Sequence, residues 1–302
     1  MSGDSWKITA IAPRQDVESA LAALGEDERM VLSGREVAED SADWVLEAWL
    51  PSTPDETDLA RFAALLPARP DAFRVEQLAE QDWVTLSQQG LDPVETGRFR
   101  VRTPDHPATD DPAIHELIIP AAQAFGTGQH ATTKGCLAML DRMEHGGVRP
   151  RSMIDVGTGT GLLAFAALRL WPDAMIAASD IDPVCEEVLR ENAALNRIPL
   201  GSGPGEILAV TAPGMDDPVL TARGPYDLLV ANILAGPLVE LADDFGHHTA
   251  PGGDIVLSGL LTSQQDVVAK AYEQRGFRLM EAAAIGDWAI LRLRQCAGHA
   301  GS

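Results

Sequence analysis

Three glycines alternate within residues 155–161, which read D-V-G-T-G-T-G and stand between an apolar stretch and a helical one. Because glycine has no Cβ, such a loop can turn sharply, and a ligand can lie against its backbone near the first N–H groups of the helix. A dinucleotide loop normally has the spacing G-x-G-x-x-G. The closer spacing of Gly157, Gly159 and Gly161 therefore favours a cofactor without a pyrophosphate, and a tight turn without a ligand is the alternative.

A carboxylate follows the next apolar stretch, in the sequence A-S-D-I-D-P at residues 178–183. Asp180 comes about 23 residues after Gly157, where α/β nucleotide sites place an acidic side chain that accepts hydrogen bonds from ribose hydroxyls. Asp182 directly precedes Pro183 and a helical segment, which suits a helix cap. We expect Asp180 to bind a ribose, and the alternative is that both aspartates are caps.

Asn232 interrupts an apolar run, in the sequence V-A-N-I-L-A-G-P at residues 230–237, where the ligand crevice of an α/β sheet would open. Its amide can both donate and accept hydrogen bonds, and the alternative is a turn residue before a helix near Pro237. Upstream, residues 125–133 read F-G-T-G-Q-H-A-T-T. The glycines would let this loop close over a cofactor, although Thr132 or Thr133 would serve equally as a helix cap.

An alternation of strands and helices must position these residues. From His115 onward, short apolar stretches alternate with segments of helical periodicity, which predicts a mostly parallel sheet covered by helices on both faces. A short turn at Gly286-Asp287 predicts a final antiparallel hairpin. The predicted strands are 152–156, 175–179, 207–210, 228–231, 254–257, 277–283 and 288–293, and the predicted helices include 162–170, 184–196, 238–245 and 265–275.

The first part of the chain, residues 1–80, has the different order strand, helix, strand, strand, helix, strand. This order predicts a small ferredoxin-like α+β domain with both helices on one face of its sheet. Prolines and glycines then predict a connector at residues 81–111, ahead of the α/β domain at 112–297. Arg98, Arg100 and Arg102 would share one face of a strand in this connector, as an ordinary polar face or as a substrate-contacting stripe.

Composition excludes several classes of protein. A net charge of -22 without a basic cluster argues against nucleic-acid binding and fits a basic protein partner, although an acidic surface also simply aids solubility. The three cysteines have no C-x-x-C spacing and the histidines no H-E-x-x-H spacing, so we expect no metal site. The sequence has no apolar stretch of membrane-spanning length, and we expect a cytoplasmic monomer.

With these segments in view, the chain resembles the ribosomal protein L-eleven methyltransferases, the PrmA family of class I methyltransferases. The similarity extends over essentially the whole chain. Its most specific parts are A-F-G-T-G-x-H-x-T-T at residues 124–133 and A-N-I-L-A at residues 231–235. The glycine loop, D-I-D-P at 180–183 and S-G-L-L at 258–261 follow in the family's order.

The resemblance implies a seven-stranded Rossmann-like class I methyltransferase domain that binds S-adenosyl-L-methionine. Position by position, it implies that Thr133, Gly157, Asp180 and Asn232 contact the cofactor, with Gly159 in the same loop. Phe125 would lie next to the transferred methyl group, and Asn232 would orient the acceptor. The N-terminal domain would bind the ribosomal protein substrate, whose lysine ε-amines and N-terminal α-amine the family methylates.

Two other functions stay open from the sequence. The first is a class I methyltransferase with another acceptor, such as a glutamine amide, an RNA base or a small amine. Against it, Ile233 and Leu234 follow Asn232 in place of the prolines and aromatic residue usual for planar acceptors. The second is a non-catalytic ribosome-assembly factor with this fold, against which the intact glycine loop and Asp180 argue.

Overall fold

The computed structural model describes residues 5–23, 30–36, 43–50, 52–66, 73–78, 93–120 and 129–296. The chain divides into two compact units, Met1–Gln89 and Gly90–Ser302. Each unit has hydrophobic core residues of its own. No helix in the described ranges is long and apolar enough to cross a membrane, and no group of three potential metal ligands occurs in them.

The N-terminal unit has one four-stranded sheet, in the order β2-β3-β1-β4, with all neighbouring strands antiparallel. Alternate residues of β1, including Ile8 and Ala10, are buried with Val17 and Phe62 of the helices, as the two-residue period of a strand requires. The elements are β1 Ser5–Pro13, α1 Arg14–Ala23, β2 Val31–Glu36, β3 Asp43–Leu50, α2 Glu56–Leu65 and β4 Phe73–Leu78.

The C-terminal unit is built on a seven-stranded sheet in the order β10-β9-β8-β11-β12-β14-β13. The first five strands are parallel, and β14 runs antiparallel to both of its neighbours, β12 and β13, which confirms the predicted sheet and its final hairpin with one antiparallel strand. Its strands are β8 Ser152–Val156, β9 Met175–Asp180, β10 Ile207–Thr211, β11 Tyr226–Asn232, β12 Thr249–Leu261, β13 Phe277–Ile285 and β14 Trp288–Gln295.

Helices cover both faces of this sheet, because successive strand residues alternate between two buried clusters. Met153 belongs to one cluster, whereas Ile154 and Val156 belong to the other. The predicted helix 238–245 is two short helices, and the helix at Pro218–Arg223 was not predicted. The helices are α3 Gln129–His145, α4 Leu162–Leu170, α5 Val184–Asn196, α6 Pro218–Arg223, α7 Ala235–Glu240, α8 Ala242–His248 and α9 Gln265–Glu273.

Part of the predicted connector belongs instead to the C-terminal unit. Its three-stranded sheet consists of β5 Val94–Thr96, β6 Phe99–Arg102 and β7 His115–Ile118. Phe99 and Val101 are buried in the core of this unit, which is why these residues are not a free connector.

The three arginines of this segment form ion pairs within the fold. Arg98 pairs with Asp141 and Glu144 at 2.7 and 2.8 Å, while Arg100 and Arg102 share Glu116 at 2.8 and 2.9 Å. These bonds favour the ordinary structural interpretation of the arginines over a substrate-contacting stripe.

Candidate functional site

Three of the predicted site residues lie at one edge of the seven-stranded sheet. Gly157 directly follows β8, Asp180 ends β9, and Asn232 ends β11. These strands are neighbours in the order β9-β8-β11, and β8 is the point at which the strand order reverses. Open α/β sheets bind ligands at the carboxyl ends of the strands beside such a reversal, so the topology brings these residues to the place where a ligand would bind.

The glycine loop needs glycine for two different reasons. Gly157, Gly159 and Gly161 all have positive φ angles, at 72°, 52° and 84°. Residues other than glycine rarely adopt this backbone conformation. A Cβ at Gly157 would overlap the side chain of Ile233, and one at Gly161 would lie 2.6 Å from Phe165. At Gly159 no atom of the described residues lies within 4 Å of that position. Packing therefore explains the outer glycines, whereas the middle one faces space that a ligand can enter.

A buried carboxylate, that of Asp155, stabilises the glycine loop by hydrogen bonds. Asp155 accepts hydrogen bonds at Oδ2 from the Thr158 hydroxyl at 2.7 Å and from the Ala164 N–H at 3.1 Å. Burial raises the pKa of Asp155 to about 6, the two hydrogen bonds oppose the rise, and the charge of Asp180 adds to it. Sequence reasoning gave Asp155 no role of its own, because its burial depends on the tertiary fold.

This raised pKa predicts a dependence of stability on pH. Between about pH 4 and 6 the unfolded chain loses the Asp155 proton while the folded chain keeps it, so stability falls as the pH rises through this window. We expect a loss on the order of 2 to 3 kcal/mol that is absent in Asp155→Asn. Urea unfolding of both proteins from pH 4 to 7 measures the difference, and parallel pH profiles would contradict the prediction.

Asp180 accepts a hydrogen bond from the backbone of the glycine loop. Its Oδ2 accepts the Gly159 N–H at 2.8 Å, and its Oδ1 accepts the Asp182 N–H at 3.1 Å. Asp182 in turn accepts the N–H of Val184, the first residue of α5, at 2.9 Å. The helix-terminal role therefore belongs to Asp182, and Asp180 faces the loop instead.

Asn232 has a buried side-chain oxygen, although a residue close to it in the chain is exposed. Its Oδ1 is buried and has no hydrogen-bond partner among the described residues. The following residue, Ile233, packs against Gly157, and Leu234 is 70% exposed. Leu234 is also the N-cap of α7, so Asn232 does not cap that helix. Buried polar atoms are nearly always paired in folded proteins, which makes this oxygen a candidate for contact with a ligand.

Two buried side chains, Ser258 of β12 and Cys136 of α3, lie close to each other. Ser258, the register partner of Asn232 on β12, donates its hydroxyl to the Ala289 carbonyl at 3.1 Å. Burial raises the pKa of the Cys136 thiol to about 12, although the nearby Ser258 side chain opposes the rise. This thiol therefore has no nucleophilic role near neutral pH.

The upstream motif is described only in part. Thr133 lies in α3, which begins four residues earlier at Gln129, so neither Thr132 nor Thr133 is the helix cap that one interpretation suggested. Thr132 is buried and Thr133 is half-buried. Phe125 lies outside the described residues.

The sequence matches the family model "Ribosomal protein L11 methyltransferase (PrmA)" over residues 14–295. The chain belongs to the PrmA family. Curated relatives named ribosomal protein L11 methyltransferase include that of Brucella suis, 38% identical over 272 residues that cover 89% of this chain and 91% of the relative. Another, from Rhizobium rhizogenes, is 37% identical over 284 residues, which cover 92% and 94%.

A solved structure of a ribosomal protein L11 methylase has a related fold. The ribosomal protein L11 methylase of Lactobacillus delbrueckii subsp. bulgaricus superposes with a TM-score of 0.56 at 28% sequence identity. The match covers 67% of this chain and 97% of that one. The family and the class I methyltransferase fold predicted from the sequence are thereby confirmed.

One polar residue of this PrmA chain was not predicted to bear on the site. Asn192 of α5 is buried, and its Nδ2 donates to the Thr160 carbonyl of the glycine loop at 3.0 Å. The only signal in the sequence is an asparagine on the apolar stripe of a predicted helix, since Leu189 and Ala193 lie on the same buried face.

Proposed function

We propose that the chain transfers methyl groups from S-adenosylmethionine to lysine ε-amines and the N-terminal α-amine of ribosomal protein L11. The observation that carries this proposal is the buried Oδ1 of Asn232 beside the glycine loop, which has no partner in the described part of this PrmA-family chain. A buried acceptor without a donor costs about 1–3 kcal/mol, so the site favours a ligand that brings a hydrogen-bond donor, such as the N–H of an amine.

The residues of the crevice fit the proposed cofactor. The space beside Gly159 would admit the cofactor against the loop backbone. Each Asp180 oxygen already accepts one backbone N–H, and a carboxylate oxygen can accept a second hydrogen bond, here from a ribose hydroxyl. We assign further cofactor contacts to Gly157 and Thr133. When bound, S-adenosylmethionine supplies a methyl group already activated by its sulfonium.

The chain's own residues then have to position a neutral amine. Asn232 Oδ1 would accept one N–H of the amine, which leaves the nitrogen lone pair free to face the methyl carbon, and positioning of this kind contributes several kcal/mol. A lysine ammonium, with an ordinary pKa near 10.4, cannot attack. The apolar side chains of Ile233 and Leu234 would disfavour the ammonium and so promote its deprotonation. We place Phe125 on the acceptor side of the methyl group.

The proposal can be tested with isotopically labelled S-adenosylmethionine and purified ribosomal protein L11. We expect mass spectrometry to locate the label on lysine and N-terminal amines, and none on L11 whose amines have been acetylated. Label on a glutamine amide or on added RNA would favour a different acceptor. Cofactor binding without transfer to any of these acceptors would favour the non-catalytic function.

We assign the N-terminal unit to recognition of the substrate, as a ferredoxin-like module. Its strand order and its antiparallel neighbours support this assignment. A chain with net charge -22 suits a basic ribosomal protein as partner and disfavours direct contact with nucleic acid. We propose that the enzyme acts as a monomer in the cytoplasm.

Removing the N-terminal unit should separate recognition from cofactor binding. Because the two units have separate cores, we expect a fragment of residues 90–302 to fold and to keep its affinity for S-adenosylmethionine within about threefold. Its kcat/KM for intact L11 should fall about a hundredfold or more. The control is a short peptide containing the methylated lysine, for which the full chain and the fragment should differ little. Full activity of the fragment on L11 would contradict the recognition role.

A further inference from the structure

Helix α5 carries two asparagines on its buried face, one turn apart. Its buried residues are Leu189, Asn192, Ala193 and Asn196, so both amides replace apolar side chains on the stripe that packs against the rest of the unit. Burying an amide costs free energy unless its donors and acceptor are paired. Apolar packing alone therefore does not explain this pair, and the partners of the two amides matter.

Asn196 holds the outer edge of β7. Its Oδ1 accepts the Ile118 N–H at 2.7 Å, and its Nδ2 donates to the Ile118 carbonyl at 2.7 Å and to the Asn192 carbonyl at 2.8 Å. The amide thus pairs with Ile118 as a neighbouring strand would, and both of its N–H groups are used. Ile118 ends β7, six residues before the motif that begins at Ala124.

Asn192 holds the glycine loop through its Nδ2, which donates to the Thr160 carbonyl at 3.0 Å, whereas its Oδ1 has no hydrogen-bond partner among the described residues. The loop and β7 are therefore both bonded to a single rigid element, at positions four residues apart. The same helix begins at Val184, which donates its N–H to the carboxylate of Asp182, two residues after Asp180. Three segments that carry predicted site residues or lead into them thus meet on α5.

From these contacts we infer that Asn192 and Asn196 are positioning residues. Asn192 fixes the glycine loop on the cofactor side, and Asn196 fixes Ile118, which precedes in sequence the motif at residues 124–133 that contains Phe125. The inference rests on the proposed function. Each asparagine is expected to affect a different kinetic constant, which a purely structural role would not produce.

Single alanine variants of the full-length chain test the division of roles. Asn196→Ala should lower kcat for L11 at least tenfold while changing the S-adenosylmethionine Kd less than about threefold. Asn192→Ala should raise that Kd about five- to tenfold, because the Thr160 carbonyl loses its donor. Wild-type kcat, KM and Kd in folded variants would overturn the inference.

Asp227→Ala is a matched control. The Asp227 carboxylate also holds backbone, accepting the N–H groups of Arg151 and Ser152 at 2.8 and 3.2 Å, but at the amino end of β8. Asp227→Ala should lower the Tm and leave kcat and Kd unchanged. If the asparagine variants behave in the same way, their role is structural only.

Hydrogen exchange on the wild-type chain keeps the test independent of whether the variants fold. S-adenosylhomocysteine should slow exchange at the Ile118 amide as well as in the glycine loop, and should leave the Arg151 amide unchanged. Slowing in the loop alone would overturn the coupling between the loop and β7. Failure of the wild type to bind the cofactor or to methylate L11 would instead contradict the proposed function.

Discussion

Asn232→Ala should reduce kcat for L11 about 10- to 150-fold and change the affinity for S-adenosylmethionine much less. Its Oδ1 is buried and unpartnered among the described residues. A hydrogen bond that it accepts from the incoming amine would strengthen in the transition state, because the nitrogen gains positive charge as it attacks. A hydrogen bond to a group that develops charge contributes about 1.5–3 kcal/mol, which corresponds to this loss of rate. Steady-state kinetics on L11, with cofactor dissociation constants from calorimetry, measure both effects.

Gln295→Ala is a matched control for this variant. Gln295 is also buried with an unpartnered Oε1 among the described residues, but it lies at the end of β14 opposite Phe277. Its loss should affect stability and leave turnover unchanged. If Asn232→Ala and the wild type have equal turnover, Asn232 does not contact the amine and is only a turn residue after β11.

The variant Asn232→Asp tests the same contact through pH. A carboxylate still accepts a hydrogen bond from the amine, but its negative charge also stabilises the unreactive ammonium. The pH–rate profile on L11 should therefore move to higher pH than that of the wild type. An unshifted profile would show that residue 232 is not close to the acceptor nitrogen.

Asp180→Ala should weaken S-adenosylmethionine binding roughly 10- to 150-fold, from the loss of charge-assisted hydrogen bonds of about 1.5–3 kcal/mol. Part of this loss would come from the released Gly159 N–H rather than from the cofactor itself. A cofactor analogue without its ribose hydroxyls separates the two contributions. Wild type should discriminate strongly against this analogue, and Asp180→Ala should not.

Asp182→Ala is the matched control for Asp180, because it removes a carboxylate two residues away that accepts the Val184 N–H. It should lower the Tm and leave the discrimination intact. If both variants lose the same affinity, the effect comes from the geometry of the loop, and Asp180 has no direct contact with the ribose.

The regular part of the C-terminal unit could be predicted from the sequence. Strand β8 and helices α4 and α5 have the predicted bounds, because periodicity, glycines and the Asp-Pro sequence mark their ends locally. Strand β12 is nine residues longer than predicted, at Thr249–Leu261. Its Pro251, Gly252 and Gly253 favour a turn locally, but pairing with neighbouring strands extends it, since strand propensity depends strongly on context.

Other features depend on contacts between residues distant in sequence. Strands β5 to β7 have only three or four residues each, among prolines and glycines, and only their packing in the core makes them strands. Likewise, the position of Asn232 could be predicted from the sequence, but not that its oxygen would be buried without a partner among the residues that the structure describes. The bonds from Asn192 and Asn196 reach 32 and 78 residues back along the chain, beyond any local pattern.

The burial of Cys136 has a practical consequence for following motions of the enzyme in solution. The thiolate is the nucleophile that attacks alkylating reagents, so Cys136 can react only after α3 separates from the sheet and water reaches its sulfur. The exposed Cys296 and the half-buried Cys185 would be modified first. With both changed to serine, the slow alkylation of Cys136 would report how often the α3 face of the sheet opens, without an engineered cysteine.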